Sequence, residues 1–271
     1  MGNAVLVWWS VLCTVSLLNI AAWVLSAKTI GSRAGDSDYA LRRQLLVLSA
    51  VYVAGCAFRS FLPMMDVPRL CLHDTWFSRI FVGRSVATVA EVCFAVQWSL
   101  LLAEAAKTTG SRFATFASRA LVPLVVAAEV SSWTAVLTTN HLLHAVENSL
   151  WTVGAALALI GFISLRPSLD VQGRRFASIA IICSALYLAF MLIVDVPMWL
   201  GRWQADLVAS HADLPARVGL RTLLQRCIVT RDWAAWHQDI PWLSLYFTAA
   251  VWISIGLAYF PRFRLRGPQP S

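Results

Sequence analysis

Phe176–Leu200 reads FASIAIICSALYLAFMLIVDVPMWL. No charged side chain interrupts it before Asp195. At 1.5 Å rise per residue, a helix of about 20 apolar residues spans the roughly 30 Å hydrocarbon core of a bilayer. Six more blocks of this kind lie at about 4–25, 44–62, 80–103, 120–139, 145–165 and 242–260. None alternates polar and apolar residues as a strand does, and a membrane β-strand needs only about half this length. The fold class is therefore all-α: a polytopic membrane bundle of about seven transmembrane helices, forming one domain over 1–271. The shortest join is Asn140-His141-Leu142-Leu143-His144, which has to turn the chain between the fourth and fifth helices, with His141 expected to precede the fifth.

Composition agrees. Of 271 residues, 59% are hydrophobic and 13% charged, whereas a soluble domain carries about 25% charged residues. The net charge of +8 could signal nucleic acid, but the basic residues sit in short segments between apolar blocks. That pattern is retention of positive charge on the cytoplasmic side, so a nucleic-acid partner is set aside and the bilayer is the expected partner. Segments 26–43, 105–119, 164–175 and 261–271 hold thirteen Lys and Arg; the segments on the other side hold six, five of them in the long 201–240 connection. The N-terminus is expected outside and the C-terminus in the cytoplasm. Only two of 22 basic residues are Lys, which points to a GC-rich coding sequence and a bacterial cytoplasmic membrane.

The 201–240 connection is the one sizeable extramembrane element. Between Pro215 and Val229, Leu220, Leu223, Leu224, Cys227 and Ile228 fall on one helical face, opposite Arg217, Arg221 and Arg226. A helix with that division lies in the interface, either capping the bundle or closing over a pocket. Trp233, Trp236 and Trp242 follow as an aromatic belt. Cys71 and Cys227 would share the oxidising face, where a disulfide can form.

Asp66-Val67-Pro68 is expected to close the second helix and Asp195-Val196-Pro197 the sixth. Each is followed by a His- and Asp-containing segment leading into the next helix. A 3+1+3 helix duplication would explain the order, an arrangement used by some carriers.

Ionisable side chains inside a membrane cost about 2.5–3.5 kcal/mol each on insertion scales and call for a function or a partner. Arg59, Arg84, Glu91, Glu129, Glu147 and Asp195 are such residues, most of them in the outer half of the bilayer. Arg84, Glu91 and Trp98 recur every seven residues, with Thr88 between, and so share a helix face that must look into the bundle. His144, Asn148 and Trp151 align on the fifth helix, with Glu147 about 60° around. These spacings give three expectations. A membrane-embedded enzyme for a lipid or lipid-linked substrate would use Glu91, Glu147 and His144 as catalytic groups, with Arg59, Arg84, Asn148, Asp195, Trp98 and Trp151 binding substrate. A carrier for a small polar solute or proton would use Glu91 and Glu129 as a relay. A non-catalytic receptor or assembly subunit would use the charges only to pair. His141, His144 and Glu147 form a candidate metal set, and His73, Asp74, His237 and Asp239 are further metal candidates in the outer connections. No cofactor is indicated: Gly-rich phosphate loops, Gly-x-Ser-x-Gly and paired zinc motifs are missing, and the seventh helix has no Lys for a retinal Schiff base.

Overall fold

The computed structural model describes residues 2–225 and 227–266. It is 79% helical with almost no sheet, and seven helical spans among the described residues are long and apolar enough to cross a membrane. The first five are α1 (Gly2–Gly31), α2 (Tyr39–Phe61), α3 (Ile80–Thr109), α4 (Arg112–Thr138) and α5 (His141–Leu165). Strands β1 (Met64–Met65) and β2 (Leu70–Cys71) lie between α2 and α3. The sixth span, Val171–Val208, consists of α6 (Val171–Phe190), a π-helical turn at Met191–Asp195, and α7 (Val196–Val208). Then come α8 (Ala216–Leu223), β3 (Ile228–Val229) and α9 (Trp233–Trp236). The seventh span divides at Thr248 into α10 (Ile240–Phe247) and α11 (Ala249–Leu257).

Local chemistry sets the ends. Gly110 takes the left-handed conformation (φ 71°) that ends α3, a state glycine adopts without steric penalty. Asp170 caps α6 by accepting the Gly173 N–H at 2.8 Å. Thr139, also left-handed (φ 59°), turns the chain with Asn140, so His141 is the first residue of α5 and does not precede it.

Contacts gather the chain into two compact units. The first comprises the N-terminal stretch to Phe94, Trp133–Asn140 and Ala209–Ala258; the second comprises Ala95–Ser132, His141–Val208 and the chain from Tyr259 onward.

The first unit carries a cap built from the connections after the second, fourth and sixth spans. β1 pairs antiparallel with β2, Met64 opposite Cys71, and β2 pairs parallel with β3, Leu70 opposite Ile228. A Cys71–Cys227 disulfide joins the two connections. Arg69, left-handed at φ 63°, donates to the Val136 carbonyl at 3.0 Å and to Thr222 Oγ1; partial burial lowers its guanidinium pKa. The Leu214 N–H reaches the Thr138 carbonyl at 2.8 Å. Alternate connections meeting in this way are what an up-and-down membrane topology requires, since only every second connection returns to the same side. In the second unit, the connection after α5 meets the C-terminal tail: Asp170 N–H donates to the Arg264 carbonyl (3.0 Å) and Arg266 N–H to that of Ser168 (2.9 Å).

Three expectations change. The helix expected over 215–229 stops at Leu223, because Cys227 and Ile228 are drawn off into the disulfide and the strand pairing. Leu223 is buried, whereas Leu220 and Leu224 are exposed, and Arg226 lies outside the described residues. The sixth helix does not close at Asp195-Val196-Pro197 but continues through it to Val208. Asp66-Val67-Pro68 sits beyond the end of α2, in the connection between β1 and β2, so the two tripeptides occupy different local structures and give the duplication no support.

The cap is closely fitted at Gly219, where a Cβ would lie 1.7 Å from the Leu137 carbonyl oxygen. Backbone cannot yield as a side chain tip can. Gly219→Ala is expected to cost about 1–3 kcal/mol, read as a lowered unfolding temperature in detergent. Gly201→Ala, with open space around its Cβ, should leave that temperature unchanged or raise it.

Candidate functional site

In the first unit, α2, the β1–β2 connection and α3 bring four charged side chains together. Arg84 Nη2 lies 3.2 Å from Glu91 Oε2, and Nη1 lies 3.6 Å from Asp66 Oδ2. Arg59 Nη2 is 3.8 Å from Asp66 Oδ1 and donates to the Met64 carbonyl at 2.8 Å. Arg59, Arg84 and Glu91 are all buried. Tyr246 of α10 donates its hydroxyl to Glu91 Oε1 at 3.0 Å. Two guanidiniums thus face two carboxylates. Beside them, Thr88 accepts from Trp133 Nε1 at 3.0 Å. The seventh span breaks at Thr248, two residues past Tyr246, and buried Asn19 donates to the Phe247 carbonyl there at 2.9 Å.

In the second unit, the start of α5 faces α7. His144 Nδ1 lies 2.8 Å from Glu147 Oε2, and the His144 ring packs on Trp199 at 4.3 Å between centroids. His144 Nε2 is buried with no hydrogen-bond partner. A carboxylate oxygen of Glu129, from α4, comes within 4.8 Å of one of Glu147. Glu129, His144 and Glu147 are each buried. At the first residue of α5, His141 Nδ1 meets Asp206 Oδ2 at 2.5 Å, and the Arg202 guanidinium sits 4.7 Å over the Trp199 ring.

The π-helical turn sets this register. Pro197 has no N–H to offer the Ile193 carbonyl, and in an α-helix its ring would press on that carbonyl. The chain widens instead, and Val196 N–H bonds the Met191 carbonyl five residues back. Such turns occur frequently at functional sites. Asp195 is buried within this one.

Arg59, Arg84 and Glu91 come together in the first unit. His141, His144, Glu147, Glu129 and Asn148 lie along α4 and α5 in the second, with buried Asp195 on the span that faces α5. Trp98 packs edge-on against Phe162, centroids 6.0 Å apart, as a core aromatic; Trp151 is half-buried on α5. His141 and His144 have each engaged Nδ1 with a carboxylate, leaving Nε2 as the nitrogen for any metal. Of the loop candidates, His73 stands edge-on to Trp9 at 4.8 Å, with burial and then the Arg231 charge lowering its pKa. His237 Nδ1 faces the Ala234 carbonyl at 3.0 Å.

Sequence reasoning missed four partners. Asp66 and Tyr246 complete the cluster around Arg84; Arg59, with no acid at helical spacing on its own helix, was the available signal for Asp66. Trp199 and Asp206 complete the second group; a helix expected to end at 200 left Asp206 in a loop. The chain matches no family model, no curated protein and no solved structure.

Proposed function

We propose that the protein handles protons within the bilayer, as a proton-conducting or proton-coupled carrier, with Glu129, His144 and Glu147 as its acid–base centre. The observation that carries this reading is the buried His144–Glu147 pair at 2.8 Å with a Glu129 oxygen within 4.8 Å of Glu147. Two carboxylates and an imidazole so placed provide three stations among which one proton passes in short steps. The orphaned Nε2 of His144 is a further acceptor on the same ring. Discontinuous spans are a recurrent feature of carriers, and this chain has a π turn in its sixth span and a break at Thr248 in its seventh.

The lipid-enzyme reading relied on the 201–240 helix as an entrance. α8 is tied down by the Thr222–Arg69 bond, the Gly219–Leu137 contact and the neighbouring disulfide, which favours a fixed cap. The orientation in this proposal has the cap and N-terminus outside a bacterial cytoplasmic membrane. Thirteen basic residues against six support it, as does a disulfide on the same side, where oxidation is sustained.

The test is proton uptake by proteoliposomes under an imposed potential, followed with an entrapped pH dye. The wild type should acidify its lumen well above protein-free vesicles. Glu147→Gln and Glu129→Gln should each reduce the rate at least ten-fold, while Trp151→Phe should retain it. Wild-type uptake equal to that of empty vesicles, or full activity in the Glu129→Gln/Glu147→Gln double variant, would overturn the assignment.

A further inference from the structure

A second polar feature lies well away from the acid–base centre, where α6 begins. A groove of about 580 Å³ is lined by Arg166, Arg174, Arg175 and Arg266, with Ser178 and no acidic side chain. Its walls are held in place, because the tail carrying Arg266 pairs with the α5–α6 connection through the Arg266–Ser168 and Asp170–Arg264 backbone bonds. Arg166 bonds Ser178 Oγ through Nε at 2.8 Å, which leaves the outer edge of its guanidinium for a ligand. The adjacent carboxylate, Asp170, already accepts the Gly173 N–H. The positive end of the α6 dipole adds to the field of the four arginines.

The apolar side chains below the groove are equally ordered. Val171, Ile179, Ile182 and Leu186 are 57%, 62%, 58% and 67% exposed. At 100° per residue they fall with Arg174, Arg175 and Ser178 inside about 140° of the α6 circumference. Positive charge at the first turns therefore gives way, on the same face, to a ridge of bare hydrocarbon running about 10 Å further along the helix from Ile179 to Leu186. A soluble anion would use only the upper part of this surface. A molecule with phosphate at one end and acyl chains at the other would use all of it.

We propose that this groove binds the phosphate-bearing headgroup of an anionic phospholipid, with the acyl chains lying along Ile179, Ile182 and Leu186. The guanidiniums bind phosphate oxygens by paired hydrogen bonds, and the site belongs to the leaflet at the C-terminal end of the chain. It is independent of the acid–base centre and stands whether or not the protein moves protons.

The test is native mass spectrometry of the full-length protein in a neutral detergent, with cardiolipin, phosphatidylglycerol or phosphatidylcholine added at equal concentration. Bound lipid should be retained in the order cardiolipin, phosphatidylglycerol, phosphatidylcholine. Each arginine near an anionic headgroup contributes about five-fold to affinity. Arg174→Gln/Arg175→Gln/Arg266→Gln should therefore weaken cardiolipin binding by roughly a hundred-fold. Lys28→Gln/Arg33→Gln/Arg43→Gln, which removes as much charge from a different connection, should leave it within about two-fold. Millimolar inorganic phosphate should not displace the lipid. Arg175→Glu, a single change at an exposed side chain, should also weaken binding and serves if the triple variant does not fold. Equal retention of all three lipids, an equal loss in the comparator variant, or displacement by inorganic phosphate would each overturn the proposal; the last would make it a free-anion site.

Discussion

Arg84→Met is expected to destabilise the folded protein by about 3–5 kcal/mol, the usual cost of removing one member of a buried charge pair. Arg84 is 5% exposed and holds both Glu91 and Asp66. Without it, Arg59 alone faces two carboxylates and the cluster carries an uncompensated negative charge. Arg84→Met/Glu91→Leu leaves the Arg59–Asp66 pair, which is neutral. It also takes the acceptor from the Tyr246 hydroxyl, at a cost of about 1–3 kcal/mol. The double variant should therefore be more stable than Arg84→Met by about 1–3 kcal/mol, and the two substitutions should be non-additive, as contacting residues are. Reversible unfolding of the wild type, Arg84→Met, Glu91→Leu and the double variant in one detergent reads this directly. Strict additivity of the two substitutions would mean that the cluster does not act as a unit. The same pair of variants separates structure from chemistry, because a double variant that folds and retains proton uptake assigns these charges to holding α2, α3 and the cap together.

The membrane character of this chain was legible because hydrocarbon leaves little choice: blocks such as 80–103 and 120–139 cannot be placed in water, and only helices satisfy their backbone internally. Helix ends were less legible. The sixth helix was expected to stop at 200, since Pro197 and Gly201 are the residues that usually punctuate. The π turn absorbs the proline and the helix runs on to Val208. That error hid Asp206, which read as a loop residue and is in fact the partner of His141. The pairing of Arg84 with Glu91 was legible from their seven-residue spacing on one helix. The approach of Asp66 and Tyr246 was not, because each arrives from an element distant in sequence and no local period announces it. Cys71 and Cys227, 156 residues apart, were readable as a pair only through the topology that placed both connections on one side.

Deleting Ile193 together with Pro197→Ala should close the π turn into α-helix and leave α7 in place against α5. A π turn holds one residue more than the α-helical turn it replaces, so removing that residue as the helix closes keeps everything beyond it in register. Ile193 is 74% exposed, so its loss sacrifices little packing, and the proline substitution lets the closed helix form without a missing donor. An alanine inserted between Met198 and Trp199, where the chain is already α-helical, has no such outlet and rotates everything beyond it by about 100°. Trp199 would then leave the His144 ring and Asp206 would leave His141. The 209–215 connection to α8 has length to take up the shift, so the disulfide-linked cap should survive. Cysteines placed at His141 and Asp206, with Cys13, Cys56, Cys93 and Cys183 replaced, report on this through a short bifunctional thiol reagent. Bridging should be near complete in the parent and with Ile193 deleted, and should fall to a few per cent with the insertion. Proton uptake should fall with it, because His144 would lose the ring that holds its imidazole against Glu147. Bridging lost on the deletion would show that the π turn does more than house an extra residue. Bridging that persists after the insertion would show that the register of α7 is fixed from its far end, with the acid–base centre positioned independently of the sixth span's residue count.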